Sequence, residues 1–325
     1  MPVTINGTTG ITTPNLINGS SLNFRNKIIN GNFDIWQRGT SHSNDGFGSV
    51  DRWSNSRIGT ANTVSRQSFT LGQTNVPNEP TYFCRNVVTS VAGSGNYVFL
   101  RQSVEDVRSC SGKTVTLSFY AKADSSKNIA VEFSQDFGTG GTPSTEVTAI
   151  GVTTCSLTTS WNKFTVTATI PSLAGKTLGT DNNHFLRIGF WLNAGSNFNS
   201  RTNSLGQQSG TFDIAQVQLE EGSVATPFEL RPIGTELALC QRYYHELELE
   251  ASGFGGPGMF NTAFPFLVQV AKPPTVTTIL AGTSVGLSNL VSLGGVVTKC
   301  DYEATTPING YWDYKNWRCS VDAEF

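Results

Sequence analysis

Hydrophobic positions along most of this chain recur every second residue. Over 114–122, Val115, Leu117 and Phe119 alternate with Thr116, Ser118, Tyr120 and Lys122, which predicts a strand with one face inward. After a Ser-Ser-Lys-Asn turn, Ile129, Val131 and Phe133 continue the pattern. Phe164, Val166, Ala168 and Ile170 repeat it after Trp161, and Leu186, Ile188, Phe190 and Leu192 form a fourth inward row. Phe185, Arg187 and Trp191 lie on the reverse side of that last row. Over 211–220 the phase slips between Ile214 and Val217, as a β-bulge requires. Several strands separated by Gly/Ser/Asn/Thr turns predict two packed antiparallel sheets, a β-sandwich over residues 26–231.

Flanking segments read differently. Ile5-Asn6-Gly7, Ile17-Asn18-Gly19 and Ile29-Asn30-Gly31 recur every twelfth residue, and Asn-Gly favours the positive φ of tight turns. Residues 1–25 are too poor in large apolar side chains to form a core and read as an extended arm; a floppy tail with chance repeats fits 1–22 equally well. Pro227 and Pro232 punctuate the end of the sandwich. A helical interval over 235–244 follows, with Glu236 near a Thr cap and Leu237, Cys240 and Tyr244 on one face. His-Glu-Leu-Glu-Leu-Glu over 245–250 returns to strand alternation, so residues 232–325 predict a short helix plus a smaller C-terminal β-domain. The fold class expected is all-β.

Composition narrows the function classes. The 325 residues carry 22 Lys+Arg against 24 Asp+Glu, a net charge of −2, whereas an electrostatic nucleic-acid binder needs a basic face. Only 14% of residues are charged, so surface polarity comes from Ser, Thr, Asn and Gln. No run approaches the ~18 apolar residues of a membrane-spanning helix, and the N-terminus lacks the positive start and apolar stretch of a signal peptide. None of the six cysteines forms a Cys-x-x-Cys pair, which leaves zinc and thioredoxin-like motifs unsupported. Six is an even number that permits disulfides, but cytosolic synthesis predicts free thiols packed as small apolar residues.

Three chemical motifs fail on context. Gly282-Thr283-Ser284-Val285-Gly286 has the nucleophile-elbow spacing, yet the last histidine is His245 and none follows Ser284. Gly253-Phe254-Gly255-Gly256-Pro257-Gly258 has dinucleotide-loop spacing, but Pro257 lacks an amide hydrogen and no helix pattern follows. Glu132 and Asp136 would lie about 13 Å apart on one strand, too far for paired-carboxylate glycoside hydrolysis. Glu246 and Glu248, or Glu248 and Glu250, fall about 7 Å apart along a strand, but an open acidic face gives no acid a raised pKa. The expectation is a protein that is not an enzyme. Tyr120 and Trp191, on outward strand faces, are the aromatic candidates for stacking against a sugar ring; the favoured alternative for an outward Trp is cover by a loop or a neighbouring subunit.

Two motifs frame the sandwich. Asn26-Lys27-Ile28-Ile29-Asn30-Gly31-Asn32-Phe33-Asp34-Ile35-Trp36-Gln37-Arg38-Gly39, with Asp51-Arg52-Trp53 beyond it, resembles the opening of carbohydrate-binding-type jelly-roll modules of phage virion proteins. Thr211-Phe212-Asp213-Ile214-Ala215-Gln216-Val217-Gln218-Leu219-Glu220-Glu221-Gly222, running into Ala225-Thr226-Pro227-Phe228-Glu229, resembles their closing strand. Glu236-Leu237-Ala238-Leu239-Cys240-Gln241-Arg242-Tyr243-Tyr244 is similar to a signature of tail-fibre-like structural proteins of tailed bacteriophages. The resemblance covers roughly residues 26–245. It implies a jelly roll of eight to ten strands and a non-enzymatic role in the virion, as a tail fibre or receptor-binding protein contacting host-surface glycans. It implies attachment to other virion proteins through the arm, a homotrimer, and location in the virion after synthesis in the host cytoplasm. A structural calcium held by Asp34 and Asp213 is also implied. A decoration or adaptor protein with a purely assembly role, and a polysaccharide depolymerase, are the rival readings.

Overall fold

In the computed structural model, residues 24–248, 269–272, 274–277 and 319–324 are described with their side chains. Strand backbones are described at 4–6, 10–12, 249–255, 258–265, 278–280, 283–285, 288–296, 299–306 and 310–318. In chain order, a hairpin of β1 (Thr4–Asn6) and β2 (Gly10–Thr12) precedes the sandwich. Sandwich strands are β3 (Ser41–His42), β4 (Gly46–Phe47), β5 (Ser54–Ile58), β6 (Ala61–Ser68), β7 (Tyr82–Thr89) and β8 (Tyr97–Glu105). They continue with β9 (Thr114–Ala123), β10 (Lys127–Asp136), β11 (Val147–Leu157), β12 (Asn162–Thr169), β13 (Phe185–Ala194), a short α1 (Asn199–Thr202) and β14 (Gly210–Glu221). Then come α2 (Ile233–Gln241), β15 (Tyr244–Gly255), β16 (Gly258–Pro265), β17 (Thr275–Leu280), β18 (Thr283–Val285), β19 (Ser288–Val296), β20 (Lys299–Thr306) and β21 (Gly310–Asp322).

Two six-stranded antiparallel sheets build the sandwich, ordered β11-β10-β13-β8-β5-β4 and β12-β9-β14-β7-β6-β3. The fold is therefore an all-β jelly-roll sandwich, followed by the smaller sheets of β15–β21. The inward rows are those the alternation predicts. Val115, Leu117 and Phe119 meet Ile129, Val131, Phe133, Ile188 and Phe190 in one continuous core, with the Phe119 and Phe190 rings edge to face at 4.9 Å. The bulge also falls where the phase slips. Tyr120 pairs with Ala215 but Ser118 with Gln218, and the extra residue, Gln216, takes a positive φ of 47°. That single insertion returns Val217 and Leu219 to the core, both with no solvent exposure.

The framing motifs close the sandwich at this bulge. Asn30 turns through a positive φ of 56°. Gly31 then passes so close to β14 that a Cβ there would stand 2.1 Å from the Val217 carbonyl oxygen. Val217 N–H donates to the Gly31 carbonyl at 2.8 Å, and Lys27 N–H to the Leu219 carbonyl at 2.8 Å. Glu229 accepts from the amides of Phe24 and Asn26. Arg231 donates to the carbonyls of Asn26 and Ile28, and Glu236 accepts from Asn30 N–H and pairs with Arg231 at 3.2 Å. Entry and exit of the sandwich are thus clasped together, and the residues carrying the resemblance are largely the clasp.

Helix α2 starts at Ile233, two residues before the expected cap. Pro232 supplies the helical φ of −54° at the N-cap, so Thr235 lies inside the first turn. The chain beyond α2 docks on the sandwich through two arginines. Arg52, 1% exposed, pairs with Glu324 and lies 3.4 Å from the centroid of the Tyr243 ring; Arg38 lies 3.6 Å from that of Tyr244. Cys84, Cys110, Cys155 and Cys240 are free and buried and Cys319 is buried, in keeping with the small-apolar reading. The Cys300 side chain lies outside the described residues.

Candidate functional site

Outward residues of the second sheet form one candidate surface. Register places Lys163, Tyr120 and Ala215 side by side, with Lys122 beside Asp213 and Asp213 beside Arg85 in the neighbouring row. Trp161 sits just before β12, three strand spacings (about 14 Å) from β7. Its ring nevertheless lies 5.2 Å from both Phe69 and Phe83, and these two lie 4.8 Å apart. The indole is therefore laid across the sheet, which the small Ala215 side chain in the neighbouring row permits. Trp161, Phe69 and Tyr120 are half-buried, whereas Phe83 is 6% exposed. Burial raises the Tyr120 phenol pKa above its ordinary value, so the hydroxyl stays a neutral donor and acceptor.

Charges around this aromatic group are fixed. Arg85 donates to both oxygens of Asp213, at 2.7 and 2.8 Å, and the Lys122 ammonium is 3.6 Å from the same carboxylate and 5.4 Å from the Trp161 centroid. Asp213 is thus held between two cations. Asp34 stands elsewhere, at a cleft lined by Asn26, Asn32, Glu229, Arg231 and Glu236. Burial, joined by the charge of Glu236 and opposed by the hydrogen bond from Asn32, raises its pKa. The two carboxylates have separate partners, and among the described residues no group of three or more His, Cys, Asp or Glu is placed to hold a metal. The calcium shell implied for Asp34 and Asp213 does not fit this arrangement, because a cation at Asp213 would displace or face two side-chain cations.

Trp191 corrects the other aromatic expectation. It points outward from the first sheet as its register requires, but is 1% exposed. The excursion after β13 covers it: Phe198 lies 5.1 Å from its ring, the Arg201 guanidinium 5.0 Å above it, and Phe99 stacks beneath at 4.3 Å. Its indole N–H donates to Glu132 at 2.8 Å. Glu132 also accepts two bonds from Arg201, at 2.7 and 2.9 Å, and one from the Ala149 amide. Trp191 therefore offers no stacking surface, and the loop-cover alternative holds.

The discarded motifs find consistent surroundings. Ser284 lies within β18, which pairs with β21, not at a strand-to-helix turn. Gly253–Gly255 end β15 and Gly258 opens β16; residues 256–257 lie outside the described residues. Glu246 accepts from the Tyr244 hydroxyl at 3.2 Å, Glu248 is exposed, and the Glu250 side chain lies outside the described residues. Trp161 and Phe69 were missed as candidates because each sits in a turn flank without alternation.

No protein-family model matches the sequence. No curated protein matches it either. Solved structures similar to it include a putative sugar binding protein from Bacteroides thetaiotaomicron (15% identity, 61% of this chain and 100% of that chain, TM-score 0.38). Another is a family 11 carbohydrate-binding module from Clostridium thermocellum in complex with a mixed-linked tetrasaccharide (14%, 57% and 98%, TM-score 0.33). A third is the enzymatically active domain of bacteriophage CBA120 tailspike protein 4, of which this chain spans 22% at 15% identity, with 61% of this chain covered and a TM-score of 0.36. Nothing about the chemistry of this chain follows from likenesses at these identities and scores.

Proposed function

We propose that this protein is a non-enzymatic structural component of a bacteriophage particle, a tail fibre or receptor-binding protein, whose second sheet contacts host-surface glycans. The observation that carries the glycan reading is the Trp161 indole, laid across an otherwise polar β-face and backed by Phe69 and Phe83. Such a plate presents C–H-complementary area to a pyranose, and Lys163 and the Tyr120 hydroxyl border it with hydrogen-bonding groups. Assembly as a trimer would multiply weak single sites by avidity. The virion reading rests on the framing motifs. Because Asn26, Asn30, Glu229, Arg231 and Glu236 are engaged in the clasp, those motifs speak for a shared architecture and the aromatic face for the contact.

The test is binding of the purified chain to an array of bacterial surface polysaccharides and to susceptible cells. Trp161→Ala and Tyr120→Ala are expected to weaken binding about tenfold or more, the equivalent of roughly 1.4 kcal/mol, with the far-UV spectrum of the folded protein retained. Unchanged binding in both variants, or absence of the protein from purified particles, overturns the proposal.

A second reading, assembly alone, draws on the apolar side chains exposed at the clasp: Phe24, Val224, Leu230 and Ile233 are 56–61% exposed. Variants that lose glycan binding yet incorporate normally into particles separate the two readings.

A further inference from the structure

Opposite the aromatic face, the outer surface of the first sheet is covered at both ends, and between them Arg101 and Arg187 are half-buried. At one end the excursion bearing Phe198 and Arg201 lies over Trp191. At the other, the Tyr243 hydroxyl donates to Glu105 at 2.7 Å and Arg242 pairs with it at 3.0 Å. Arg101, in the middle of β8, projects from this outer face, because Leu100 and Gln102 on either side of it face inward. Its cross-strand neighbours are Gly189 on β13 and Ser54 on β5; the Phe99 ring lies over Gly189, and the short Ser54 leaves the other side of the guanidinium without a long side chain.

Among the described residues this half-buried arginine makes no ion pair and no side-chain hydrogen bond, although the charges of Asp45 and Glu146 reach it. Both are engaged elsewhere, like Glu132, Asp136 and Glu105. Glu132, two strands away in the same row, is held by Arg201. Glu146 and Asp136 both pair with Arg187, Asp45 accepts from the Arg57 amide at 2.7 Å, and Glu105 faces Arg242. Burial, reinforced by the neighbouring charge of Arg187, lowers the Arg101 pKa to about 10, so the group remains a cation at neutral pH. A partly desolvated guanidinium with unused N–H donors is costly in the free protein and gains most from an incoming anion.

We propose that Arg101 anchors a second saccharide site, on the outer face of the first sheet, that takes the carboxylate of an acidic sugar. The guanidinium fork matches a planar carboxylate through two parallel N–H bonds. Phosphate fits less well: the charges of Asp45 and Glu146 reach the same guanidinium, and a dianion meets about twice the repulsion from them that a single carboxylate does. Further along the same face the Tyr97 hydroxyl, 3.2 Å from the Ser56 hydroxyl, supplies polar groups for the sugar ring.

The experiment measures binding of the full-length protein to oligomers of galacturonic, glucuronic and mannuronic acid and to the methyl esters of the same oligomers. At least one acid oligomer is expected to bind about tenfold or more tightly than its ester, the scale of a charge-assisted hydrogen bond. Arg101→Gln is expected to abolish the acid–ester difference without lowering the melting temperature, Arg101→Lys to keep part of it, and Trp161→Ala to leave it intact. Equal binding of acid and ester, no binding of any acid oligomer, or an undiminished difference in Arg101→Gln overturns the proposal. Displacement of the acid oligomer by equimolar inorganic phosphate overturns the carboxylate assignment. The acid–ester comparison needs no variant, so it stands should Arg101→Gln fold poorly. Failure of the Trp161 site leaves this readout untouched, since the two sites lie on opposite faces.

Discussion

Arg52 and Glu324, 272 residues apart, form an ion pair with both side chains closed to solvent, at 1% and 3% exposure. Arg52 also donates to the Ser103 carbonyl at 2.7 Å, and the Tyr243 ring lies against its guanidinium. Removing one partner of such a pair strands the other charge in a low-dielectric setting. Glu324→Ala is therefore expected to destabilise the protein by about 3–5 kcal/mol, and Arg52→Met combined with Glu324→Leu to recover most of that loss. Denaturant melts of the two variants check it.

Asp51 makes stability depend on pH. Burial raises its pKa from 3.8 to about 6, against the opposing effect of hydrogen bonds from Gln37 and the nearby Arg38, with the Glu324 charge adding to the rise. Between those two values the folded protein holds a proton that the unfolded chain releases. This contribution is therefore complete below about pH 3.8 and is lost as pH rises through 6. Asp51→Asn is expected to gain in melting temperature relative to the parent as pH is raised from 4 to 8; a constant difference across that range excludes the effect.

Gly31 is needed for space. A methyl group there meets the Val217 carbonyl oxygen, so Gly31→Ala must push the opening turn off the bulge. The expected loss is about 2–3 kcal/mol, read by thermal unfolding, with faster amide exchange at Val217.

Arg201 holds the cover over Trp191. Arg201→Ala leaves Glu132 buried with two neutral donors, the Trp191 indole and the Ala149 amide. The segment 195–206 is expected to exchange amide hydrogens faster and the protein to lose about 3 kcal/mol. Unaltered exchange there refutes the role of this pair in holding the cover.

The five described cysteines are buried, and burial, with the nearby Asp213 charge adding to it, holds the Cys84 thiol far above its usual pKa. A thiol reagent applied to the native protein and mapped by mass spectrometry is expected to leave Cys84, Cys110, Cys155, Cys240 and Cys319 unmodified until denaturant is added.

Strand faces and the bulge at Gln216 are legible in sequence because a buried face fixes the period and a single insertion shifts it visibly. What covers a face is not. Trp191 has an outward register, but its cover comes from Ser196–Phe198 and the four-residue α1, polar segments with no periodic signal. Trp161 reads as a turn residue, and only the fold carries its ring across to Phe83. Arg101 carries a weak signal as an outward cation in β8. Its lack of an acceptor among the described residues depends on where Asp45 and Glu146, from distant segments, turn.

The clasp at Glu229 has a mechanical consequence. The chain enters and leaves the sandwich at one point, where Glu229 grips the amides of Phe24 and Asn26 and Arg231 grips the carbonyls of Asn26 and Ile28. Tension between the segments on either side is carried by these few bonds, and no strand of either sheet is stretched while they hold.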